Sequence, residues 1–396
     1  MMIPNSIHIH DFSGHPFQFD LSLALASRGI TIFHSYNPDF ETGKSNFKVA
    51  DSTLPLNTIP LSLKRIFPKY ALLQRIRYEV YYALKLYGTH RKLNCDLLII
   101  SNLPLISSFI FSVMPYKTKY LLWHQDIYSE AMPLVINGNH KSLKRIIHGV
   151  ARFLEGIVAK RALGIISIST NFADCYKKWG LDNSKITYMP NWSSKNDFYP
   201  IDQEQINTFP LVFKPNQRIF VYAGTLGLKH NSQLLIHLSS KLFQIDENII
   251  LLVISSKSSI DSFRKLIPEK NNFVLWEFLP IEILPHIFSR SEWGIVILEE
   301  TAGKFSVPSK TLSYIASGLP VIGFMPSSNE AARIIKDSYG RVFEPSKMGV
   351  EKAFDFLDDS SLSKISLSRD KCLEYAKLNF DVNKKADQVL QFISQS

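Results

Sequence analysis

The stretch Val307-Pro308-Ser309-Lys310-Thr311-Leu312-Ser313-Tyr314-Ile315-Ala316-Ser317-Gly318-Leu319-Pro320-Val321-Ile322 reads as a loop, a short helix, a glycine stop and a buried strand. Pro308 suits a first helical turn, where its missing N–H would have no partner anyway. Leu312, Ile315 and Ala316 share one helical face. Gly318 supplies the left-handed cap. Leu319-Pro320-Val321-Ile322 has no polar face, as a strand covered on both sides requires. The N–H groups of the helix start, with Lys310 in the first turn, form a seat for a diphosphate. The same residues also suit an ordinary αβ unit with a solvated Lys310.

Outward from this stretch, strands and helices alternate in both halves of the chain, which implies parallel sheets. Ile7–His10, 30–33, 97–101, 119–123, 164–169 and 186–189 read as strands of the first half, with 37–60 as a long loop. Helices are expected at 71–92, from about 105, and at 142–161. The second half gives strands at 219–222, 249–254, 273–276, 294–298 and 320–324, with helices between them and three more near 349–357, 361–378 and 381–394. The expected division is a first domain over 1–195, a linker over 196–216, a second domain over 217–378 and a final helix over 379–396. Two Rossmann-like domains of this kind place a ligand at the carboxyl ends of their strands.

With 396 residues, 45% hydrophobic and 20% charged, the chain exceeds one ordinary core. Its three cysteines, Cys95, Cys175 and Cys372, give neither a disulfide framework nor a zinc spacing, and a reducing compartment fits. The net charge of +10 lies wholly in residues 1–200, which hold 23 Lys+Arg against 13 Asp+Glu, while the remainder balances. That asymmetry points to an anionic partner for the first half. The start of the chain lacks the basic segment of a signal peptide. The uncharged run 97–116 is broken by Ser101, Asn102, Pro104 and three further serines, so strand, loop and buried helix is the expected reading rather than a membrane span.

The segment 61–92 carries Lys64, Arg65, Lys69, Arg75, Arg77, Lys85, Arg91 and Lys92 with Glu79 as its only acid. Leucines and tyrosines interleave them, as in a basic amphipathic helix that rests on anionic lipid; a solvated basic face fits the same residues. A second basic stretch runs from Lys141 to Arg161. No recognition motif for nucleic acid accompanies these charges. His8 and His10 alternate within a strand and read as structural.

The string at 307–322 resembles the donor-site helix of retaining glycosyltransferases of family four, which have the GT-B fold. Ser13-Gly14-His15-Pro16, Met189-Pro190-Asn191-Trp192 and Tyr222-Ala223-Gly224-Thr225-Leu226-Gly227-Leu228-Lys229-His230-Asn231 follow the same pattern in the same order. The form with Asn-Trp and Pro-Ser-Lys is similar to transferases of bacterial capsule, O-antigen and colanic-acid assembly. The resemblance implies two Rossmann-like α/β domains facing each other across a cleft, with a C-terminal helix crossing back to the first.

It also implies a set of roles. The donor, a nucleotide-sugar with UDP as the family prior, would be held by Gly14, His15, Gly224, Thr225, Gly227, His230, Ser306, Val307, Pro308, Ser309 and Ser313. Phe278 and Leu279 would lie beside the base. Lys229 and Lys310 would meet the leaving diphosphate, Asp126 would orient acceptor or sugar, and His124 would support it. A buried His–Asp pair that merely fixes the loop is the other reading of those two residues. Asn191 would sit at the hinge. The family's usual Arg and Lys are replaced by Thr225 and His230, and its two glutamates by Phe305 and Ser313. No Asp-x-Asp triplet is present, so helix termini and basic side chains are expected to replace a metal, with no cofactor beyond the donor.

The expected protein is thus a retaining, metal-independent transferase acting on a lipid-linked saccharide. It would be cytoplasmic, at the inner face of a bacterial plasma membrane. A UDP-sugar epimerase of the same fold and a non-catalytic nucleotide-binding subunit stand as alternatives.

Overall fold

The computed structural model describes residues 3–40, 47, 52–68, 71–115, 119–135, 141–193, 213–214, 216–226, 231–269, 271–280, 283–304, 306–358 and 363–395. The chain forms two compact units, residues 1–190 with 382–396, and residues 191–381. The expected linker at 196–216 lies outside the described residues, apart from 213, 214 and 216.

The first unit runs β1 (Ser6–Asp11), α1 (Pro16–Ala26), β2 (Thr31–Tyr36), β3 (Leu56–Pro60), α2 (Leu72–Leu93), β4 (Leu97–Ser101), α3 (Leu105–Val113), β5 (Tyr120–His124), α4 (Tyr128–Ala131), α5 (Lys141–Arg161), β6 (Gly164–Ser167), α6 (Ala173–Lys178) and β7 (Ile186–Tyr188). Its sheet is parallel throughout, in the order β3-β2-β1-β4-β5-β6-β7. Every residue of β4 and β5 is buried, which the unbroken runs Leu-Leu-Ile-Ile and Tyr-Leu-Leu-Trp require of central strands.

The second unit runs β8 (Arg218–Ala223), α7 (Ser232–Ile245), β9 (Ile249–Ser255), α8 (Lys257–Arg264), β10 (Phe273–Glu277), α9 (Leu284–Arg290), β11 (Trp293–Ile297), α10 (Lys310–Ala316), β12 (Val321–Phe324), α11 (Glu330–Asp337), β13 (Arg341–Phe343), α12 (Lys347–Asp358) and α13 (Ser363–Asn379). Its parallel order is β10-β9-β8-β11-β12-β13. The last helix, α14 (Val382–Gln395), belongs to the first unit and packs on α1. There Arg28 meets Asp387 at 2.7 Å.

Three sequence expectations need correction. The loop assigned to 37–60 ends in β3, an edge strand whose mixed exposure gives no clean alternation. The basic helix is α2, from Leu72, not a helix over all of 61–92. Lys64 has a left-handed backbone and Pro68 follows it, so Lys64 and Arg65 precede the helix. Helix α11 and strand β13 were absent from the sequence reading. Among the described residues no helix is long and apolar enough to cross a membrane.

Candidate functional site

In the second unit β8 leads the chain to Gly224, whose φ of 140° an L side chain rarely adopts. A Cβ there would stand 3.0 Å from Lys310 Cε and 3.1 Å from Nζ. Glycine thus leaves room for the lysine as well as for the turn. Lys310 opens α10, where Thr311 N–H donates to the Pro308 carbonyl at 3.2 Å in a tight first turn. At the other end Leu319 N–H reaches the Tyr314 carbonyl and Gly318 N–H the Ile315 carbonyl, around Gly318 at φ 69°. This pattern is the Schellman stop expected of the glycine.

Tyr314 fastens α10 to β8. Its hydroxyl accepts from Ala223 N–H at 2.7 Å, and its ring lies against Gly294, where a Cβ would clash. Lys310 is therefore held over the end of β8. Its Nζ stands 3.6 Å from the centre of the Tyr222 ring. The residue as a whole is half-buried, yet the ammonium is closed to solvent and has no hydrogen-bond partner among the described residues. Burial pushes its pKa down to about 7. The Tyr222 face offsets part of the desolvation cost, but an ammonium has three protons to donate and here donates none. An anionic oxygen arriving beside Gly224 would satisfy it.

The loop before α10 is fixed by a residue the sequence reading missed. Asn329, 1% exposed, donates its Nδ2 to the carbonyls of Gly303 at 2.7 Å and Ser306 at 2.9 Å. Its Oδ1 also caps α11 by accepting from Ala331 N–H at 2.9 Å. The Ser-Asn-Glu string before an apolar run was the available signal. Ser306, Val307 and Ser313 are half-buried, Pro308 buried, and Ser309 exposed. Thr225 is exposed, and its carbonyl accepts from the Tyr222 hydroxyl at 3.0 Å. Phe278 and Leu279 follow β10, on the same carboxyl edge of the sheet as Gly224, and Phe278 is exposed. Gly227, Lys229, His230 and Phe305 lie outside the described residues.

In the first unit the loop after β1 is organised by Asp11. Its buried carboxylate accepts from Ser13 N–H at 3.0 Å, His15 N–H at 2.5 Å and Asn102 Nδ2 at 2.9 Å. Burial raises its pKa, and the adjacent His15 and these donors oppose the rise. Gly14 takes a φ of 75°, and the half-buried His15 stacks on Phe17 just ahead of α1. His8 and His10 are fully buried and share the Ser35 hydroxyl, as structural residues do.

At the end of β5, His124 is buried and engaged at both nitrogens: Nε2 stands 3.3 Å from Glu155 Oε1, and Nδ1 3.2 Å from the Tyr176 hydroxyl. The expected alternative of a His–Asp pair is replaced by this His–Glu pair. Glu155 also accepts from Tyr128 N–H at 2.7 Å and Ser129 N–H at 3.0 Å, and so anchors the start of α4. Asp126 is half-buried, and with His124, Gln125, Tyr128, Asn102 and Glu155 it lines a cavity of ≈ 20 Å³, room for about one water. Asn191 is buried where the chain passes from one unit to the next. Among the described residues no group of three His, Cys, Asp or Glu side chains is placed to hold a metal.

No family model matches the chain. A probable glycosyltransferase of Pseudomonas aeruginosa, WbjE, is 22% identical over 254 residues, 63% of this chain. The match spans 62% of that protein's length. Among solved structures, WaaG, a glycosyltransferase involved in lipopolysaccharide biosynthesis, superposes with a TM-score of 0.68 at 14% identity, over 97% of this chain and 99% of its own. Anabaena Alr3699/HepE in complex with UDP and glucose gives 0.68 at 13% identity, over 99% and 100%. The chain has the GT-B fold and resembles glycosyltransferases of that fold.

Proposed function

We propose that this chain is a metal-independent, retaining glycosyltransferase that moves a sugar from a nucleoside-diphosphate sugar, UDP-sugar foremost, to a lipid-linked saccharide. The reading places it at the inner face of a bacterial membrane, in surface polysaccharide synthesis. The observation that carries it is the Lys310 ammonium, shut from water beside Gly224 with no hydrogen-bond partner among the described residues. Sugar transfer leaves negative charge on a departing diphosphate, and a fixed ammonium in a dry site stabilises that charge strongly. The N–H groups of Ser306, Val307 and Ser309, on a loop that Asn329 fastens, would complete the diphosphate seat. The solved relative with UDP and glucose bound supports UDP as the first donor to try. Asp126 would orient the acceptor, and the basic face of α2 would draw the enzyme to the acceptor's membrane.

The test is thermal stabilisation by a panel of nucleotide sugars, followed by turnover with lipid-linked acceptors in the presence of EDTA. A ligand at 100 times its Kd stabilises by roughly 2.7 kcal/mol, a clear shift in Tm. Absence of stabilisation by every nucleotide sugar removes the proposal. A second reading has its own support: Ser313 stands where the family carries a glutamate, and His124 is tied to Glu155 and Tyr176. Nucleotide binding without turnover would select this reading, a non-catalytic subunit.

A further inference from the structure

Helix α5 turns a row of large apolar side chains away from its own core. Leu143, Ile146, Val150 and Phe153 are 46%, 63%, 55% and 68% exposed. Their spacing of three, four and three residues puts them within an arc of about 80° at the helical period. Ala151, Glu155, Val158 and Ala159 on the other side are buried against the unit. More than half of the surface of Ile146, Val150 and Phe153 therefore lies outside the core of the unit. Monomeric proteins seldom leave such a line open to water.

We infer that this face of α5 docks on an anionic lipid bilayer, with the apolar row entering the boundary between headgroups and acyl chains. Charge decides the occupant. The exposed Lys160 borders the row, the exposed Arg145 lies about 80° beyond its edge at the helical period, and the only acid of the helix, Glu155, is buried and bonded to the start of α4. A second copy meeting this face with its own would set cations against cations. Anionic headgroups complement them, at about 1 kcal/mol per basic residue near the surface. Helix α5 packs on α3, and α3 on α2, so the basic face of α2 belongs to the same helical layer. A helix with an apolar row, cationic flanks and low overall hydrophobicity lies in the interfacial plane rather than spanning the membrane. This deepens the membrane part of the proposed function and rests on it for its purpose, though its test needs no sugar transfer.

The full chain is sedimented with phosphatidylcholine vesicles with and without phosphatidylglycerol. Binding to the anionic vesicles that weakens with salt is expected, and in Ile146→Ser/Phe153→Ser binding falls at least about tenfold. The UDP-induced shift in Tm stays unchanged in that variant, so failure here is distinguishable from failure of the nucleotide reading. Phe153→Trp, an aromatic exchange at an exposed site, keeps the proposal testable if the double variant fails to fold. The indole fluorescence it adds, taken against the parent protein, shifts to the blue with anionic vesicles. No binding to anionic vesicles, binding undiminished in the double variant, or added fluorescence in Phe153→Trp that is indifferent to lipid overturns the proposal. A lipid-free dimer that Ile146→Ser/Phe153→Ser dissolves also overturns it, assigning the row to a second copy.

Discussion

The Lys310 ammonium and the His124 ring occupy comparable places, each closed to solvent near the carboxyl edge of a parallel sheet, one in each unit. His124 has both ring nitrogens engaged, and its partner Glu155 is itself satisfied by two backbone amides. Lys310 has an aromatic face and, among the described residues, no acceptor. A buried polar group with all its partners in its own unit holds a loop. A buried charge with none is destabilising unless something supplies the missing oxygen. On the proposed function, this difference gives His124 a structural role and Lys310 the ligand-binding one.

The sharpest way to break this contrast is Lys310→Met, close in length and without the charge. Nucleotide-sugar turnover should fall by at least about a hundredfold, the loss typical of removing one electrostatic contact to a developing anion. The Tm of the ligand-free protein should hold or rise, because an unpaired buried charge is gone. A fall in ligand-free Tm with turnover kept would reverse the roles. His124→Ala should do the opposite. Loss of its two side-chain contacts leaves the Tyr176 hydroxyl and Glu155 short of a buried partner, costing roughly 1–3 kcal/mol in urea unfolding, while the UDP-induced Tm shift survives.

The proton on Lys310 sharpens the comparison further. Its pKa is lowered to about 7 by burial, and a bound diphosphate favours the charged form. Between pH 7 and the ordinary lysine range, Lys310 is neutral before binding and protonated in the diphosphate complex. Donor affinity should therefore weaken as pH rises above 7, by up to about tenfold per unit. Calorimetry in buffers of different ionisation enthalpy should find proton uptake on binding at pH 8, and none would show that Lys310 is already charged. For stability the sign is also fixed: a base with a depressed folded pKa stabilises least below that pKa, so the Lys310 cost eases as pH climbs from 7. The smallest effect is Asn329→Ala, with the helix cap and two loop carbonyls losing their partner. A drop of about 1 kcal/mol in stability and a raised KM for donor at near-normal kcat are expected. An unchanged KM would mean the 303–306 loop does not need that anchor.

The central strands were legible because runs such as Ile249–Ser255 permit no polar face. The helix from Lys310 was legible because Pro308 and Gly318 punctuate it. Edge strand β3 was not, since Leu56-Asn-Thr-Ile-Pro60 faces solvent in part and reads as loop. Position along the chain brought Lys310 and Gly224 forward as candidates, but only packing shows that the ammonium lacks a partner. Glu155 and Asn329 escaped for a shared reason. Each acts on backbone more than twenty residues away, Glu155 on Tyr128 and Ser129, Asn329 on Gly303 and Ser306, and no local period encodes such a bond.

The final helix carries one more consequence. Val382, Ala386, Val389, Phe392 and Ile393 are buried in the first unit, and Phe392 fills the space that a side chain at Gly164 would take. Synthesis therefore delivers a piece of the amino-terminal core only after the whole second unit has emerged from the ribosome. The nascent half must wait with an uncovered apolar flank beside α1, a vulnerable interval in which chaperones would find their binding site.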